Sequence, residues 1–500
     1  MLLMLVGCRK ESDSVVSYAF LDNMAFAAAD TSFAAKFDVL WKGLNVNYAL
    51  WDFEKENGLD WDAVYEQYYP QFAALDKQKG KVADKEVMAL LEEVVAPLHD
   101  GHLVVVITNH TTGSKISASP SHLRLAKDKA RQAEYELLEY FIPSLKYYQA
   151  KGDVLEYKEV SSNPIQSIIE SATAYIKDKV KTLTDKDLVA AYNKAKETLD
   201  ECGVLIEEDN IDEALQLYNM TVIRYEFLHI PGLVTIESKL ADESIVMKYA
   251  LFKGNIAYLS LKAYHLSPYL DKKFRDEDFP DPSEYTAALI QQVNDTWKAW
   301  FDAIQAHHKA GDLGGVVIDM RSNEGGYLSD FRYTVGALVP SGGYHYANAR
   351  FKRGPGRYDY SPEMPQPMPT LETEHVTVTE PVVLLCNCAT ISMGEHTTWG
   401  VKDLPNGKVI GTRTWGGLCA LDSNASYSDN YAGFVGIKDQ TPVFAYVPQE
   451  VVMTKDGKIL EGTGIIPDIE LALEHEKWNG GNGPDNQLDR ALAFIRNKEQ

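Results

Sequence analysis

Residues 381–395 read Pro-Val-Val-Leu-Leu-Cys-Asn-Cys-Ala-Thr-Ile-Ser-Met-Gly-Glu, and this stretch decides the fold class. Its apolar first half predicts a buried strand over 381–388. The pattern then changes to helical spacing, which predicts a helix over 391–403. A buried strand that leads directly into a helix is typical of α/β proteins.

The same alternation continues on both sides of this stretch. Upstream, a helical pattern over 285–308 precedes Gly-Gly-Val-Val-Ile-Asp-Met at 314–320, which predicts a second buried strand. Downstream, a third buried strand is predicted at 409–411. We therefore expect an α/β core over about 245–472. Short strands are also predicted at 221–228, 245–251 and 256–261.

The N-terminal part has a different pattern. Apolar residues recur at helical spacing over 29–98, and the β-branched run at 102–107 then predicts a strand. The charged block over 120–217 is helix-periodic, and we expect an all-helical insert. A Pro- and Gly-rich stretch at 353–369 predicts a surface loop or flap. The predicted segments are a signal or lipoprotein tether (1–28), an N-terminal helical domain ending in the strand of His102 (29–115), a helical insert (116–218), an α/β core (219–475) and a C-terminal helix (476–500).

Composition disfavours several functions. The 500 residues include 49 Lys and Arg but 72 Asp and Glu, and a net charge of −23 disfavours nucleic acids and anionic membrane surfaces as partners. The five cysteines show no spacing typical of zinc sites. Cys386 and Cys388 lie two apart on a predicted strand, which favours two packed thiols over a reactive pair.

The N-terminus predicts export. Leu5-Val6-Gly7-Cys8 ends an apolar run and resembles a bacterial lipoprotein box, in which Cys8 would be lipidated after cleavage. No other segment approaches the roughly 20 uninterrupted apolar residues of a membrane span. We expect a protein exported to the periplasm or cell envelope, with a lipid anchor at Cys8 as its contact with the membrane.

Two loops that follow predicted buried strands carry the candidate chemistry. Ser392 lies where a strand passes into a helix, so its hydroxyl would be exposed beside the free N–H groups of the helix start. The alternative is a simple N-cap serine. The loop 319–326, Asp-Met-Arg-Ser-Asn-Glu-Gly-Gly, has adjacent glycines that allow a backbone N–H to face a reacting carbonyl. This loop leads toward a helix predicted at 328–338. A phosphate-binding loop is the competing use, but neither GxGxxG nor GxxxxGKS/T occurs.

Five motifs along the chain resemble one known family. In order they are Leu-His-Asp-Gly-His (98–102), the loop 319–326, Thr-Ile-Ser-Met-Gly-Glu (390–395), Gly-Thr-Arg-Thr-Trp-Gly-Gly (411–417) and Glu-Gly-Thr-Gly-Ile-Ile-Pro-Asp (461–468). The set resembles the tail-specific, or C-terminal-processing, serine peptidases, and the opening helices resemble the tricorn-type branch. The resemblance implies a crotonase-like α/β catalytic core preceded by a helical domain, and it leaves the helical insert unmatched.

The resemblance also implies roles for three side chains. Ser392 would be the nucleophile, His102 the general base and Glu461 the carboxylate that supports the imidazolium. Two positions depart from the family. Gly417 stands where the processing branch has its catalytic Lys, so a serine–lysine dyad is unavailable. Gly101 stands where the tricorn-type branch has a Ser before the His, so Glu461 would act directly, through water or through another hydroxyl.

The oxyanion hole is expected to combine the N–H of Met393 with that of Gly325 or Gly326, with Gly326 slightly favoured. His396, four residues after Ser392, is an alternative base, although packing is the preferred interpretation. The resemblance implies a protein or peptide substrate and neither a metal nor an organic cofactor. The oligomeric state does not follow from the sequence.

Two rival functions stay open. The first is a non-catalytic ligand-binding protein on the same fold, and the second is an acyl-group enzyme that uses the crotonase-type oxyanion hole. The insert at 116–218 would cap the active site or bind a partner.

Overall fold

The computed structural model describes residues 32–138, 141–161, 181, 186–207, 246–274, 284–353, 356–419, 434–436, 441–448 and 450–497. The predicted tether with Cys8 and the strand predicted at 221–228 lie outside these residues. Within them, no helix is both long enough and apolar enough to span a membrane.

The elements follow in chain order. The helices are α1 (Phe33–Asn47), α2 (Trp51–Glu56), α3 (Trp61–Leu75), α4 (Asp84–Val95), α5 (Pro120–Lys127), α6 (Lys129–Leu138), α7 (Leu145–Ala150), α8 (Lys186–Glu207), α9 (Glu284–Ala310), α10 (Met393–Asp403), α11 (His475–Trp478) and α12 (Asn486–Arg496). The strands are β1 (Val104–Thr108), β2 (Lys115–Ala118), β3 (Val154–Ser161), β4 (Val246–Phe252), β5 (Ile256–Leu261), β6 (Gly315–Asp319), β7 (Tyr344–Phe351), β8 (Met364–Met368), β9 (Val382–Cys386), β10 (Gly407–Gly411), β11 (Phe434–Val435), β12 (Val443–Tyr446), β13 (Glu450–Met453) and β14 (Ile469–Glu470).

A seven-stranded sheet positions the loops that matter for function. Its order is β14-β10-β9-β6-β5-β4-β3, and the neighbours from β14 to β5 are parallel. Asp319 at the end of β6 is opposite Leu385, and Cys386 at the end of β9 is opposite Gly411. The carboxyl ends of β6, β9 and β10 therefore lie side by side, at the edge where open α/β sheets place their sites.

The N-terminal helices share a core with a second sheet. Ser32 caps α1 through its hydroxyl, and on the buried face of α1 Phe37 stacks on Phe72 of α3 with 4.7 Å between ring centroids. The same core includes Val105 and Ile107 of β1, which belongs to the antiparallel sheet β11-β12-β1-β2. A third antiparallel sheet has the order β13-β7-β8.

The chain divides into two compact units. Unit 1 comprises Met1–Glu156, Ala250–Tyr264 and Asp302–Gln500, and unit 2 comprises Tyr157–Tyr249 and His265–Phe301. Within unit 2, Trp297 contacts Phe274 and Phe301, with ring centroids 4.9 and 5.2 Å apart. The α/β fold class is confirmed, whereas the boundaries of the segments drawn from sequence stay predictions.

Three local predictions are wrong. The insert is not all-helical, because β3 adds an edge strand to the large sheet, and the helical spacing of its charged neighbours hid this long-range pairing. The helix predicted at 328–338 is two short 3₁₀ turns, because Thr334 between them leaves helical geometry (φ −122°, ψ −112°). Part of the flap predicted at 353–369 is β8, which carries Pro365 and Pro367 because an edge strand tolerates missing N–H donors.

A buried ion cluster lies beneath the loop that follows β6. Arg321 is 4% exposed, and its Nη2 lies 2.6 Å from Asp319 and 2.8 Å from Asp485. Its guanidinium also donates to Gln487 and lies 4.1 Å from the centroid of the Phe141 ring. A buried cation with two carboxylate partners holds this loop on the sheet.

Replacing Arg321 with Met should destabilise the protein by about 3–5 kcal/mol, because two buried carboxylates lose their counterion. The free energy of unfolding in urea measures this change. The matched control is Arg496→Met, which removes an exposed pair with Asp153 and should cost at most about 1 kcal/mol. Equal losses in the two variants would contradict the assignment.

Candidate active site

Ser392 lies in a strained turn between β9 and α10. Its backbone angles are φ 53° and ψ −116°, a conformation that costs a non-glycine residue free energy. Two contacts hold the turn, since Ile391 N–H donates to the carbonyl oxygen of Asn323 at 2.9 Å and Ser392 N–H donates to Glu395 at 3.3 Å. The strain thus places the serine at the carboxyl edge of the sheet.

A glycine pair from the loop after β6 lies against this serine. A Cβ on Gly325 would lie 2.6 Å from Ser392 Cβ and 3.1 Å from Ser392 Oγ, and a Cβ on Gly326 would lie 2.1 Å from Tyr264 O. Both glycines have positive φ, at 87° and 133°. Glycine is therefore required here for close approach as well as for conformation.

The N–H groups around Ser392 differ in their partners. Gly325 N–H donates to Asn323 Oδ1 at 2.9 Å, and Asn323 is itself fixed by a bond from its Nδ2 to Leu261 O. Among the described residues, the N–H groups of Gly326 and Met393 have no hydrogen-bond acceptor. One of these donors belongs to Met393, which follows Ser392, and the other belongs to Gly326, which follows the glycine that lies against Ser392.

His102 lies just before β1 in a pocket closed by backbone. The N–H groups of His102 and Leu103 donate to Asp100 Oδ1 at 2.6 and 2.8 Å, which fixes the turn. A Cβ on Gly417 would lie 3.3 Å from the imidazole Cε1, so this glycine makes room for the ring. Both ring nitrogens are shielded from solvent and without a partner among the described residues. Burial lowers the pKa of His102 to about 4, and the nearby His396 adds to this effect.

Glu461 is a buried carboxylate held by backbone N–H groups. Its Oε1 accepts from Gly101 at 2.6 Å, and its Oε2 accepts from Leu418 and Cys419, both at 2.6 Å. Burial raises the pKa of Glu461 to about 8 and the charge of Asp100 adds to this shift, while the N–H donors oppose it.

Asp100, His102 and Glu461 form one cluster. One carboxylate oxygen or ring nitrogen from each lies within 4.8 Å of those of the other two. Burial raises the pKa of Asp100 to about 7. The three donor types could also hold a metal ion, but both oxygens of Glu461 already accept backbone N–H groups, an arrangement that fits a fixed carboxylate better than an open ligand.

The two glycines that depart from the family pattern, Gly101 and Gly417, pack against each other. A Cβ on Gly101 would lie 2.4 Å from Gly416 O and 2.5 Å from Gly417 Cα, so a serine side chain has no space there. The backbone N–H of Gly101 contacts Glu461 instead. Position 101 therefore provides an N–H contact to the carboxylate where the tricorn-type pattern has a hydroxyl.

Glu395 also belongs to the site, although the predictions from the sequence assign it no role. It is fully buried, and it accepts hydrogen bonds from Thr414 Oγ1 at 2.6 Å and from the N–H groups of Gly416 and Gly417, both at 2.7 Å. Burial raises its pKa. The available signal was its position three residues after Ser392, the spacing of a capping box.

Both ring nitrogens of His396 are occupied by hydrogen bonds within the protein interior. Its Nε2 lies 2.9 Å from the carbonyl oxygen of Leu418, which can only accept, so Nε2 carries the proton and Nδ1 accepts from the Tyr346 hydroxyl at 2.8 Å. Cys386 and Cys388 are buried as predicted, and burial raises the pKa of both thiols, which keeps them protonated.

Comparisons with known proteins identify the core. Residues 284–471 match the model of Peptidase family S41, a range that includes Ser392 and Glu461 but not His102. Tricorn protease homolog 1 of Streptomyces coelicolor is 27% identical over 186 residues, which cover 36% of this chain and 14% of that protein. The Tricorn protease of Thermoplasma volcanium is 26% identical over 181 residues, with coverage of 36% and 14%. The chain thus spans less than a fifth of the length of these relatives.

Among solved structures, mature CPAF has a TM-score of 0.45 and 11% identity, over 97% of this chain and 99% of that one. The resemblance predicted from the five motifs is confirmed at the level of a domain, since residues 284–471 match the model of Peptidase family S41.

Proposed function

We propose that this protein is a serine endopeptidase that cleaves proteins or peptides through an acyl-enzyme. The observation that carries the proposal lies within the described residues, where a strained serine near two N–H groups without an acceptor is linked to a histidine whose ring nitrogens have no partner. The link runs through Glu395, which binds the backbone of both Ser392 and Gly417, and Gly417 lies against the imidazole of His102.

In the first step, Ser392 Oγ bonds to the scissile carbonyl carbon while its proton passes to His102. The carbonyl oxygen becomes an oxyanion, which the N–H groups of Gly326 and Met393 stabilise. Gly326 is preferred to Gly325 because the Gly325 N–H already donates to Asn323. The C–N bond then breaks, and the amine leaves with the proton from His102. Water next attacks the ester, His102 takes its proton, and Ser392 leaves with that proton.

Glu461 supports this cycle through the charge of its ionised form, which predominates only above its raised pKa of about 8. A carboxylate within 4.8 Å of the ring stabilises the imidazolium that forms in each step. Its three backbone N–H donors fix its position, and one of them belongs to Gly101, the residue before His102. The lipid anchor at Cys8 and export to the cell envelope stay predictions from the sequence.

A fluorophosphonate probe should label the purified protein at Ser392, as mapped by mass spectrometry. Ser392→Ala should abolish labelling, and His102→Ala should slow it by about 10²–10⁴-fold because the general base is lost. His308→Ala is the control, since that ring binds Glu380 on the surface. An unchanged rate in His102→Ala would contradict the base assignment. Absence of labelling in folded wild-type protein would favour the ligand-binding alternative.

The pH dependence of labelling should reflect the lowered pKa of His102. Only the neutral ring accepts a proton, and a lowered pKa keeps the ring neutral to lower pH. The pH below which labelling slows is therefore expected near 4 instead of the ordinary 6.5. Labelling rate constants measured between pH 3.5 and 9 give the pH at which the rate falls on the acidic side. Circular dichroism at each pH checks that the protein stays folded. A rate decrease centred near 6.5, with no decrease near 4, would show that the ring is solvated, whereas a further rise in rate near pH 8 would reflect the ionisation of Glu461.

Gly101→Ala should impair the site through sterics alone. The added Cβ displaces Gly416 and Gly417, which moves the wall of the His102 pocket, and labelling should slow by about 100-fold. The matched control is Gly203→Ala, whose Cβ would meet nothing within 4 Å and whose helical position should leave the labelling rate unchanged. Normal labelling by Gly101→Ala would refute the steric account of position 101.

A further inference from the structure

Arg124 of α5 binds the loop that leads into His102. Its Nη1 donates to Leu98 O at 2.6 Å, and its Nη2 donates to His99 O at 2.8 Å and Asp100 O at 3.1 Å. Three successive carbonyl oxygens thus converge on one guanidinium, whose planar set of donors can satisfy all of them.

Arg131 of α6 binds the backbone carbonyl groups of a second loop in the same way. Its Nη1 donates to Arg413 O at 3.2 Å, and its Nη2 donates to Thr414 O and, at 3.3 Å, to Trp415 O. The two arginines therefore lie on consecutive helices, and each gathers three consecutive carbonyls of one loop.

These two loops form the pocket of His102. The first ends in Gly101 and His102, and the second continues into Gly416 and Gly417. They contact each other directly, since Trp415 Nε1 donates to Gly101 O at 3.1 Å. Any shift of one loop relative to the other would move the ring relative to its surroundings.

Burying the charge of Arg124 and Arg131 costs free energy. It lowers the pKa of both guanidinium groups, which means that their charge is held in a poorly solvated place. Charge-assisted bonds to three carbonyls offset this cost, and a lysine could not reproduce them because its ammonium lacks the planar fork.

We propose that Arg124 and Arg131 are positioning residues for His102, and that helices α5 and α6 clamp the two loops of its pocket in register. The proposal rests on the proposed function and gives the start of the insert a role. It predicts that the arginines act on the rate of proton transfer through the geometry of the imidazole.

The test compares Arg124→Met, Arg131→Met and the two Lys variants in the full chain. Fluorophosphonate labelling should slow by about 100-fold in each Met variant, because a displacement of about 1 Å can cost that much. The Lys variants, which keep the charge, should recover part of the rate. Arg496→Met is the control, because this arginine also binds a carbonyl, that of Lys253, away from the site.

A merely structural role gives a different result. It would lower the melting temperature while leaving the labelling rate of the folded fraction unchanged, and that outcome would overturn the proposal. If the Met variants do not fold, the Lys variants decide. Slower labelling at an unchanged melting temperature supports the proposal, and unchanged labelling refutes it.

A second readout separates this proposal from the proposed function. The ¹³Cε1 resonance of His102, assigned with His102→Ala, should shift in the Arg124 and Arg131 variants and stay fixed in Arg496→Met. If wild-type protein is not labelled, the proposed function fails, but this shift still tests the clamp. An unchanged His102 resonance in both arginine variants would overturn it.

Discussion

Four consecutive backbone N–H groups, those of residues 416–419, donate to two buried carboxylates, and the arrangement of the site depends on these bonds. Gly416 and Gly417 donate to Glu395, and Leu418 and Cys419 donate to Glu461. Without them, Glu461 would keep only the N–H of Gly101, and Glu395 would keep only Thr414 Oγ1 and the N–H of Ser392. Buried oxygens with too few donors cost free energy. One short segment thereby joins the helix that follows the serine to Glu461, whose other oxygen accepts from Gly101 in the loop that carries the histidine.

This constraint explains why the chain differs from the family at two positions. Because the segment passes so close to position 101, a side chain there is excluded, and because it passes under the imidazole, a long side chain at 417 would displace the ring. The chain therefore has neither a hydroxyl at position 101 nor a lysine at position 417. In their place there is a direct contact between Glu461 and the backbone N–H of Gly101, and a Glu461 oxygen lies within 4.8 Å of a ring nitrogen of His102.

The sequence was informative where signals are local. The buried strands ending near Asp319 and Cys386 were predictable from apolar runs, and the loops that follow them were recognisable from their motifs. Long-range contacts could not be predicted from the sequence. The edge strand β3, the bonds of Glu395 to the 414–417 segment and the two arginines that gather carbonyls from distant loops depend on partners that no local spacing indicates. The sequence favours the Gly326 N–H only slightly over that of Gly325, and the physical reason, the bond from the Gly325 N–H to Asn323 Oδ1, is visible only in the structure.

We propose that the N–H groups of Gly326 and Met393 form the oxyanion hole of Ser392. A crystal structure of the phosphonylated enzyme tests it most directly. We predict a phosphonyl oxygen about 2.7–3.1 Å from both nitrogens, with the imidazole of His102 facing Ser392 Oγ. An adduct whose oxygen contacts neither nitrogen, or a phosphonyl group carried by a residue other than Ser392, would contradict the account.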